Sequence, residues 1–589
     1  MKRGSLIARK KAPYQQAARL SRLGYDAASY FIPNVVISAN QSELELSGLK
    51  ITKQDQTDYI IIGAGSAGSV LASRLSRSHH VTLLEAGSKD HAWDYRLHMP
   101  AALSHVLSND RYNWFYNSEP EPGLDNRQLY CPRGRVLGGS SSINGMIFVR
   151  GNKGDFDDWA NAPGMESWDY DRCLPYFKRS ENTIYGVDSH RGRVGPMHIS
   201  RGEADNPLFE AWLAAGEELG VHRSEDFNGL QQEGVGVFDR TIKAGRRFST
   251  AQGYLTQGND DGEGSLTIYS GAQVQKILLN NQKAEGVEFR RRGKTHKIYA
   301  NSEVILCGGA INSPHLLMLS GIGNASELKS AGIDPVVDLP GVGENLQDHL
   351  EIYVQYACEQ PVSIYPSLHW YNQAMIGLQW YLMNTGAGAT NHFETGAFLR
   401  SAPSVPYPDL QFHFLPVAMN YDGRDRHKGH GFQVHVGPMK PTSRGHVKLK
   451  SNDPNSAPNI LFNYQTTTED REVMRAGIRR VRELIDTKAF SPYKGRELKP
   501  GAGATTDSEL DAFVRAHGES AYHPSCTCRM GEDEMAVVNA SGQVHGIGNL
   551  RVVDASIMPT VTNGNLNAPV IMMAEKLSDD ILGAEPLLR

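Results

Sequence analysis

The stretch DYIIIGAGSAGSVLASRLSRSHHVTLLEAG, residues 58–87, decides the fold. Tyr59–Ile62 reads as a short apolar strand. Gly63, Gly65 and Gly68 follow at GxGxxG spacing, then a helical run, then a second apolar strand, Val81–Leu84, closed by Glu85. Strand, glycine turn, helix, strand and terminal acid in that order make a complete βαβ dinucleotide-binding unit. Gly63 permits the turn, Gly65 lets backbone approach a pyrophosphate, and Gly68 lets the helix pack against the strand. The helix start offers free N–H groups and a positive dipole end to phosphates. Gly63, Gly65, Ser66, Gly68 and Glu85 are therefore the expected cofactor-facing residues, with Glu85 placed to accept from ribose hydroxyls. The unit does not distinguish FAD from NAD.

At 589 residues the chain can bury a large core and divide into two domains. Its net charge of −5 is small for this length and argues against non-specific nucleic-acid binding. The six cysteines show neither CxxC nor zinc spacing, so reduced thiols and no metal site are expected. No apolar run reaches the length of a membrane span, which leaves only peripheral membrane association. The first 25 residues hold seven Lys or Arg and no acid before Asp26. This reads as a mitochondrial presequence, with a disordered basic tail as the alternative.

Working outward, CPRGRVLGGSSSINGMIFVRG (131–151) is too rich in Gly and Ser for a helix interior and suits backbone wrapped around a ligand. Residues 155–225 read as mixed helices with Trp159, Trp168 and Trp212 in the core. SLTIYSGAQVQKILL (265–279) alternates as strands do. EVILCGGAINSPHLLMLSGIG (303–323) is a buried strand, a Gly-Gly break and a helix. Residues 350–515 carry short strands such as 409–415, expected to form an antiparallel sheet, and 569–581 reads as a closing helix.

Four blocks together resemble the glucose–methanol–choline (GMC) oxidoreductases: the GxGxxG unit, PRGRVLGGSSSINGMIFVRG, GGAINSPHLLMLSGIG, and the tail HPSCTCRMG…GNLNAP. The resemblance spans about residues 55–585 and, at SAYHPSCTC, NLRVVDASIMP and NLQDHLEIYV, is similar to the choline-oxidising members. It implies an α/β fold, α+β overall. A Rossmann-like FAD-binding domain would be assembled from 55–154, 228–349 and 520–589. A substrate domain on an antiparallel sheet would come from 155–227 and 350–519, with 1–54 outside both.

The resemblance also implies an alcohol oxidation with FAD and assigns roles. His523 would stand beside the flavin as the polar partner of the alcohol oxygen, with Asn565 as a second donor to the alkoxide. Glu351 matches the carboxylate that choline-oxidising members set against a quaternary ammonium. That cation has no N–H to donate and calls for aromatic faces, here Trp370 and Tyr522. His413 matches a further histidine that contacts the substrate oxygen. Gly139, Ser140 and Asn144 would face the flavin, Val274 the adenine, Asp554 and Ala555 the ribityl chain, and Asn567 would be a structural or flavin contact. Some relatives attach FAD covalently through a histidine in the SSxN segment; Ile143 stands there in this chain, so non-covalent FAD is expected. The implied electron acceptor is a membrane quinone, which would place the protein peripherally on the mitochondrial inner membrane, with a cytoplasmic location as the alternative. Molecular oxygen as acceptor, or another primary alcohol as substrate, are the alternatives.

Overall fold

The computed structural model describes residues 56–256, 263–420 and 426–588, together with the backbone of two short strands, Glu45–Leu46 and Leu49–Lys50, which pair antiparallel. The expected presequence otherwise lies outside the described residues. Residues 53–589 form one compact unit.

The first sheet grows from the βαβ unit. Strand β1 (Gln56–Ile62) runs parallel to β2 (His80–Glu85), and helix α1 (Ser66–Leu75) connects them. Ile60, Ile61, Leu83 and Leu84 are buried, as the continuous apolar runs of a sheet covered on both faces require. Ser265–Asn280 is two strands, β3 (Ser265–Ser270) and β4 (Ala272–Asn280), broken at Gly271, whose φ of +68° turns the chain. β3 runs parallel to β2; β4, β5 (Lys283–Arg291) and β6 (Lys294–Leu306) form an antiparallel meander. The far half of β6 runs parallel to β1 and to Leu550–Val552. The order is β3-β2-β1-β6-β5-β4.

Helix α1 has no side-chain cap and no acid in its first turn, which leaves its leading N–H groups for a ligand. A Cβ on Gly68 would overlap the carbonyl oxygen of Gly63, so only glycine allows this approach of helix to turn. After the Gly308–Gly309 break comes α2 (Gly309–Leu319). Arg74 forms a two-pronged pair with Glu575 at 2.7 and 2.9 Å, and Ser66 Oγ donates to Asn567 Oδ1 at 2.7 Å.

The second sheet contains β7 (Leu350–Cys358). Exposed helix α3 (Trp370–Met383) follows it, then β8 (Thr395–Leu399), β9 (Leu410–Leu415), β10 (Gly431–Pro438) and β11 (Lys494–Lys499). Its order is Arg223–Ser224, Gly234–Val237, β8, β9, β10, β7, β11, antiparallel after the first pair. Gly234–Val237 was expected with the cofactor segment 228–349; it pairs instead with β8, its small glycines admitting the close neighbour Phe227. Phe412, Phe414, Val434, Val436, Ile352 and Val354 point from one face into the core, where Trp212 lies against Phe412 and Phe414. The closing helix α4 (Asn567–Leu582) is buried along most of its length.

The close contact at Gly68 gives a direct test. Gly68→Ala forces the helix away from the turn. Overpacking of this kind costs about 1–3 kcal/mol. The variant should melt several degrees lower and purify with less bound flavin, read from calorimetry and visible absorbance.

Candidate active site

The carboxyl ends of β1, β2 and β6 and one face of the second sheet enclose one connected cavity of about 390 Å³. This is where open α/β sheets bind ligands. Of the residues expected from sequence, Gly63, Gly65, Ser66, Glu85, Gly139, Ser140, Asn144, Val274, Asp554, Ala555 and Asn567 line it, and so do His523, Asn565, Glu351, His413 and Tyr522. The starts of α1, α2 and α4 also face it. Gly68 lies behind the turn as a packing residue.

The cofactor half is a cradle of backbone. A Cβ on Gly139 would come within 2.7 Å of Gly65 Cα, so the Gly-rich segment lies directly on the first turn. Around Gly65 itself a Cβ meets nothing closer than 4.0 Å, which leaves room at the helix start for a pyrophosphate. Glu85 braces the turn by accepting from the backbone N–H groups of Ala64 (2.9 Å) and Gly87 (2.7 Å). Asp554 accepts from Gly309 N–H (2.8 Å) and Ser313 Oγ (2.6 Å). Ile143 is buried in the lining and offers no nitrogen for a covalent bond. These residues fit a dinucleotide bound without a covalent link.

The opposite end carries the reactive groups. β9, β10 and β7 lie side by side, with His413 opposite His435 and His435 opposite Tyr353. The two-residue period puts Gln411 and His413, Gln433 and His435, and Glu351, Tyr353 and Gln355 on one face of the sheet. His523 arrives from another direction. Tyr522 before it has a left-handed φ of +66°, and Arg133 donates to the Tyr522 carbonyl at 2.6 Å. The His523 N–H donates to Asp348 Oδ1 at 2.6 Å.

Hydrogen bonds fix the protons. The Met439 carbonyl can only accept, so His349 Nε2, 3.2 Å away, carries a hydrogen. With one proton on that ring, His349 Nδ1 is an acceptor, and His523 Nδ1, 3.0 Å from it, donates. His523 Nε2 then keeps its lone pair toward the cavity and accepts from Asn565 Nδ2 at 3.2 Å. Asn565 Oδ1 accepts from Gln411 at 3.1 Å, which agrees with this orientation. Burial lowers the pKa of His349 to about 3 and, with the nearby His349, His413 and Arg133, holds His523 well below the ordinary histidine range. Both rings are thus single-proton species, as this chain of donors requires. Burial likewise lowers His413 to about 4; it lies beside the Asn565 amide, yet its Nε2 makes no hydrogen bond of ordinary geometry within the protein.

The same logic runs through Glu351. The Met419 N–H donates to Gln433 Oε1 at 2.8 Å, so the Gln433 amide nitrogen faces His435 Nε2 at 2.7 Å and donates to it. His435 therefore carries its hydrogen on Nδ1 and gives it to Glu351 Oε1 at 3.2 Å. Phe393 lines the cavity edge-on to both His413 and His435.

Trp370 is a correction. It is 80% exposed at the start of α3 and does not line the cavity. HWYNQ reads as a ligand cage only if its helix packs inward, and α3 buries Trp380 instead. The aromatic wall beside Glu351 comes from Phe393 and Tyr522. Phe393, Gln433, His435, Asp348 and His349 were not singled out from sequence. The polar–apolar alternation in LQFHFL and GFQVHVGP was the available signal for the sheet residues.

Models described as GMC oxidoreductase match residues 57–351 and 441–574. The chain belongs to the GMC oxidoreductase family. It is an FAD-dependent oxidoreductase, with an α/β fold like that of its solved relatives. It is 52% identical over 536 residues to a protein of Burkholderia ambifaria (strain AMMD) and 53% identical over 536 residues to one of Burkholderia multivorans, each match covering 90% of this chain and 94% of the relative. A Pseudomonas fluorescens protein is 52% identical over 538 residues with the same coverage. All three are named oxygen-dependent choline dehydrogenase. Pyridoxine 4-oxidase from Mesorbium loti has the same architecture (TM-score 0.81, 31% identity, 90% of this chain and 99% of that one). So does formate oxidase of Aspergillus oryzae RIB40 (TM-score 0.83, 26% identity, 90% and 99%). The three sequence relatives are bacterial and lend no support to the expected mitochondrial presequence or placement. Among the described residues no helix is long and apolar enough to cross a membrane.

Two tests follow from the hydrogen bonding. His349→Ala removes the acceptor that holds the His523 proton on Nδ1 and should lower turnover by about 10²-fold or more, within the range of a mis-set general base. His349→Asn, which can both donate and accept, should recover part of that loss at unchanged flavin content. Burial also raises Glu85 to about 7 from an ordinary 4.5. The folded chain then holds this proton more tightly than the unfolded chain. The stability this contributes is complete below pH 4.5 and is lost as pH rises through 7. In the apoprotein, Glu85→Gln should flatten the fall in Tm between pH 5 and 8.

Proposed function

We propose that the chain oxidises choline to betaine aldehyde. The observation that carries this reading is a buried carboxyl group, Glu351, that receives the His435 Nδ1–H on the wall of a cavity that also holds His523, whose Nε2 carries no hydrogen and meets the Asn565 amide. The name shared by relatives at 52–53% identity supports it.

In this reading the α1 start with Gly63, Gly65 and Ser66 takes the pyrophosphate, and Glu85 takes the ribose. Val274 holds the adenine, Asp554 and Ala555 the ribityl chain, and Gly139, Ser140, Asn144 and Asn567 the ring region. The cofactor half is drawn from 55–154, 228–349 and 520–589, less the strand Gly234–Val237; the substrate half takes 155–227 and 350–519. Bound FAD supplies the hydride acceptor. Glu351, Phe393 and Tyr522 hold the trimethylammonium group by charge and by aromatic face. His523 Nε2 receives the hydroxyl proton, and Asn565 Nδ2 with His413 Nε2 stabilises the developing alkoxide. Burial of both rings excludes water from the oxygen while its charge develops.

Two acceptors for the electrons are distinguished by experiment. A quinone implies peripheral membrane association. Molecular oxygen is favoured by the relatives' name. Choline added without air should bleach the flavin; readmitted air restores the colour with peroxide if oxygen is the acceptor, and a quinone analogue restores it faster if a quinone is.

Glu351→Gln removes one partner of a buried charge pair, which costs about 2 kcal/mol or more, roughly 30-fold in kcat/KM for choline. 3,3-Dimethylbutanol, the neutral isostere, should be oxidised at a nearly unchanged rate. Equal losses for both alcohols would reject Glu351 as the cation's partner.

A further inference from the structure

Helix α3 projects apolar side chains into solvent. Trp370, Tyr371, Met375, Leu378, Tyr381, Leu382 and Met383 are between 52% and 80% exposed. At 3.6 residues per turn the first six share an arc of roughly 140°. Residues 361–393 contain no Asp, Glu, Lys or Arg, although such residues make up 21% of the chain. An ordinary surface helix shows the reverse pattern, with charge outward. The helix is nonetheless firmly rooted: Trp380 is buried, its Nε1 donates to the Gly245 carbonyl at 2.7 Å, and the Arg246 guanidinium lies 4.9 Å over its ring.

Cations border the helix. Arg426 is exposed and donates to the Leu368 carbonyl just before the first turn, and Lys428 beside it is exposed too. Arg246, at the inner flank, donates to the Ala92 carbonyl and so brings exposed Trp93 to the same region.

We infer that α3 is the surface by which the protein docks on an anionic lipid bilayer, lying in the interface with Leu378, Tyr371 and Leu382 along the middle of the inserted arc, Trp370 and Tyr381 at one edge and Met375 at the other. An apolar helix arc edged by Arg and Lys is the pattern of an interfacial helix. Charge separates lipid from a second copy of the chain. A two-fold contact of α3 on α3 would bring the exposed Arg426 and Lys428 of both copies towards one face, and α3 itself, residues 370–383, offers no acid to them. Anionic headgroups provide that negative charge. The position also suits the chemistry: Leu103, Ile364 and Leu368 pack on one cluster with Phe393, and Leu103 and Phe393 both line the cavity. An apolar acceptor dissolved in the bilayer therefore lies on the same side of the molecule as this wall. The inference rests on the quinone alternative above, the one that implies peripheral association, and assigns its surface.

Flotation of the full-length, flavin-loaded protein tests it. Vesicles of phosphatidylcholine alone are compared with vesicles containing phosphatidylglycerol. The protein should float with the anionic vesicles about tenfold more than with the neutral ones. Leu378→Glu with Leu382→Glu should lower that fraction by about tenfold, while anaerobic bleaching by choline stays as in the parent. Arg426→Glu with Lys428→Glu should remove the preference for anionic lipid. Absence of vesicle binding by the parent, or unchanged binding by the leucine double variant, overturns the inference. So does a dimer in sedimentation that the leucine double variant dissolves and anionic vesicles do not, which assigns the face to a second copy. Failure of choline to bleach the flavin in every variant counts against the proposed reaction and leaves the flotation result standing.

Discussion

A backbone carbonyl accepts hydrogen bonds and never donates them, and at Met439 this asymmetry sets the proton positions on the His523 side of the cavity. From that oxygen the order of donor and acceptor is forced through His349, across to His523 and out to Asn565. A second backbone group, the Met419 N–H, forces the opposite order through Gln433 and His435 to Glu351. Side-chain amides and imidazoles can each be drawn two ways. Backbone groups cannot, and so two main-chain atoms fix which ring nitrogen of His523 meets Asn565 without a hydrogen and which of His435 gives its hydrogen to Glu351.

These chains depend on a sheet with an unusual inner surface. Strands β9 and β10 and residues 350–356 of β7 are buried, yet one face carries Glu351, Tyr353, Gln355, Gln411, His413, Gln433 and His435. Buried polar groups are costly unless they are satisfied. Here Gln355, Gln433 and His435 satisfy one another or nearby backbone, and Gln411 donates to Asn565. Gln411 Oε1 and His413 Nε2 make no hydrogen bond of ordinary geometry, and His413 lines the cavity.

The cofactor half was legible in the sequence because its signals are local. Gly63, Gly65, Gly68 and Glu85 fall within 23 consecutive residues, and each does a job set by the adjoining strand or helix. The reactive end was legible only in part. His523 and Asn565 stand in blocks that mark the family, whereas Phe393 and His435 come together through strand register, which sequence spacing does not reveal. Trp370 misled for a related reason: an aromatic in an uncharged helix ordinarily faces the core, and α3 turns that face outward. Gly234–Val237 pairs with β8, some 160 residues later, a partner that no local signal announces.

Arg74 meets Glu575, and Ser66 meets Asn567, each across 501 positions of sequence. During synthesis the glycine turn leaves the ribosome early and must wait for nearly the whole polypeptide before α4 arrives to brace it. Until then α1 has an exposed flank and an unmatched arginine, the sort of surface that invites chaperones. Chains released before residue 567 would lack the helix against which the nucleotide turn is set.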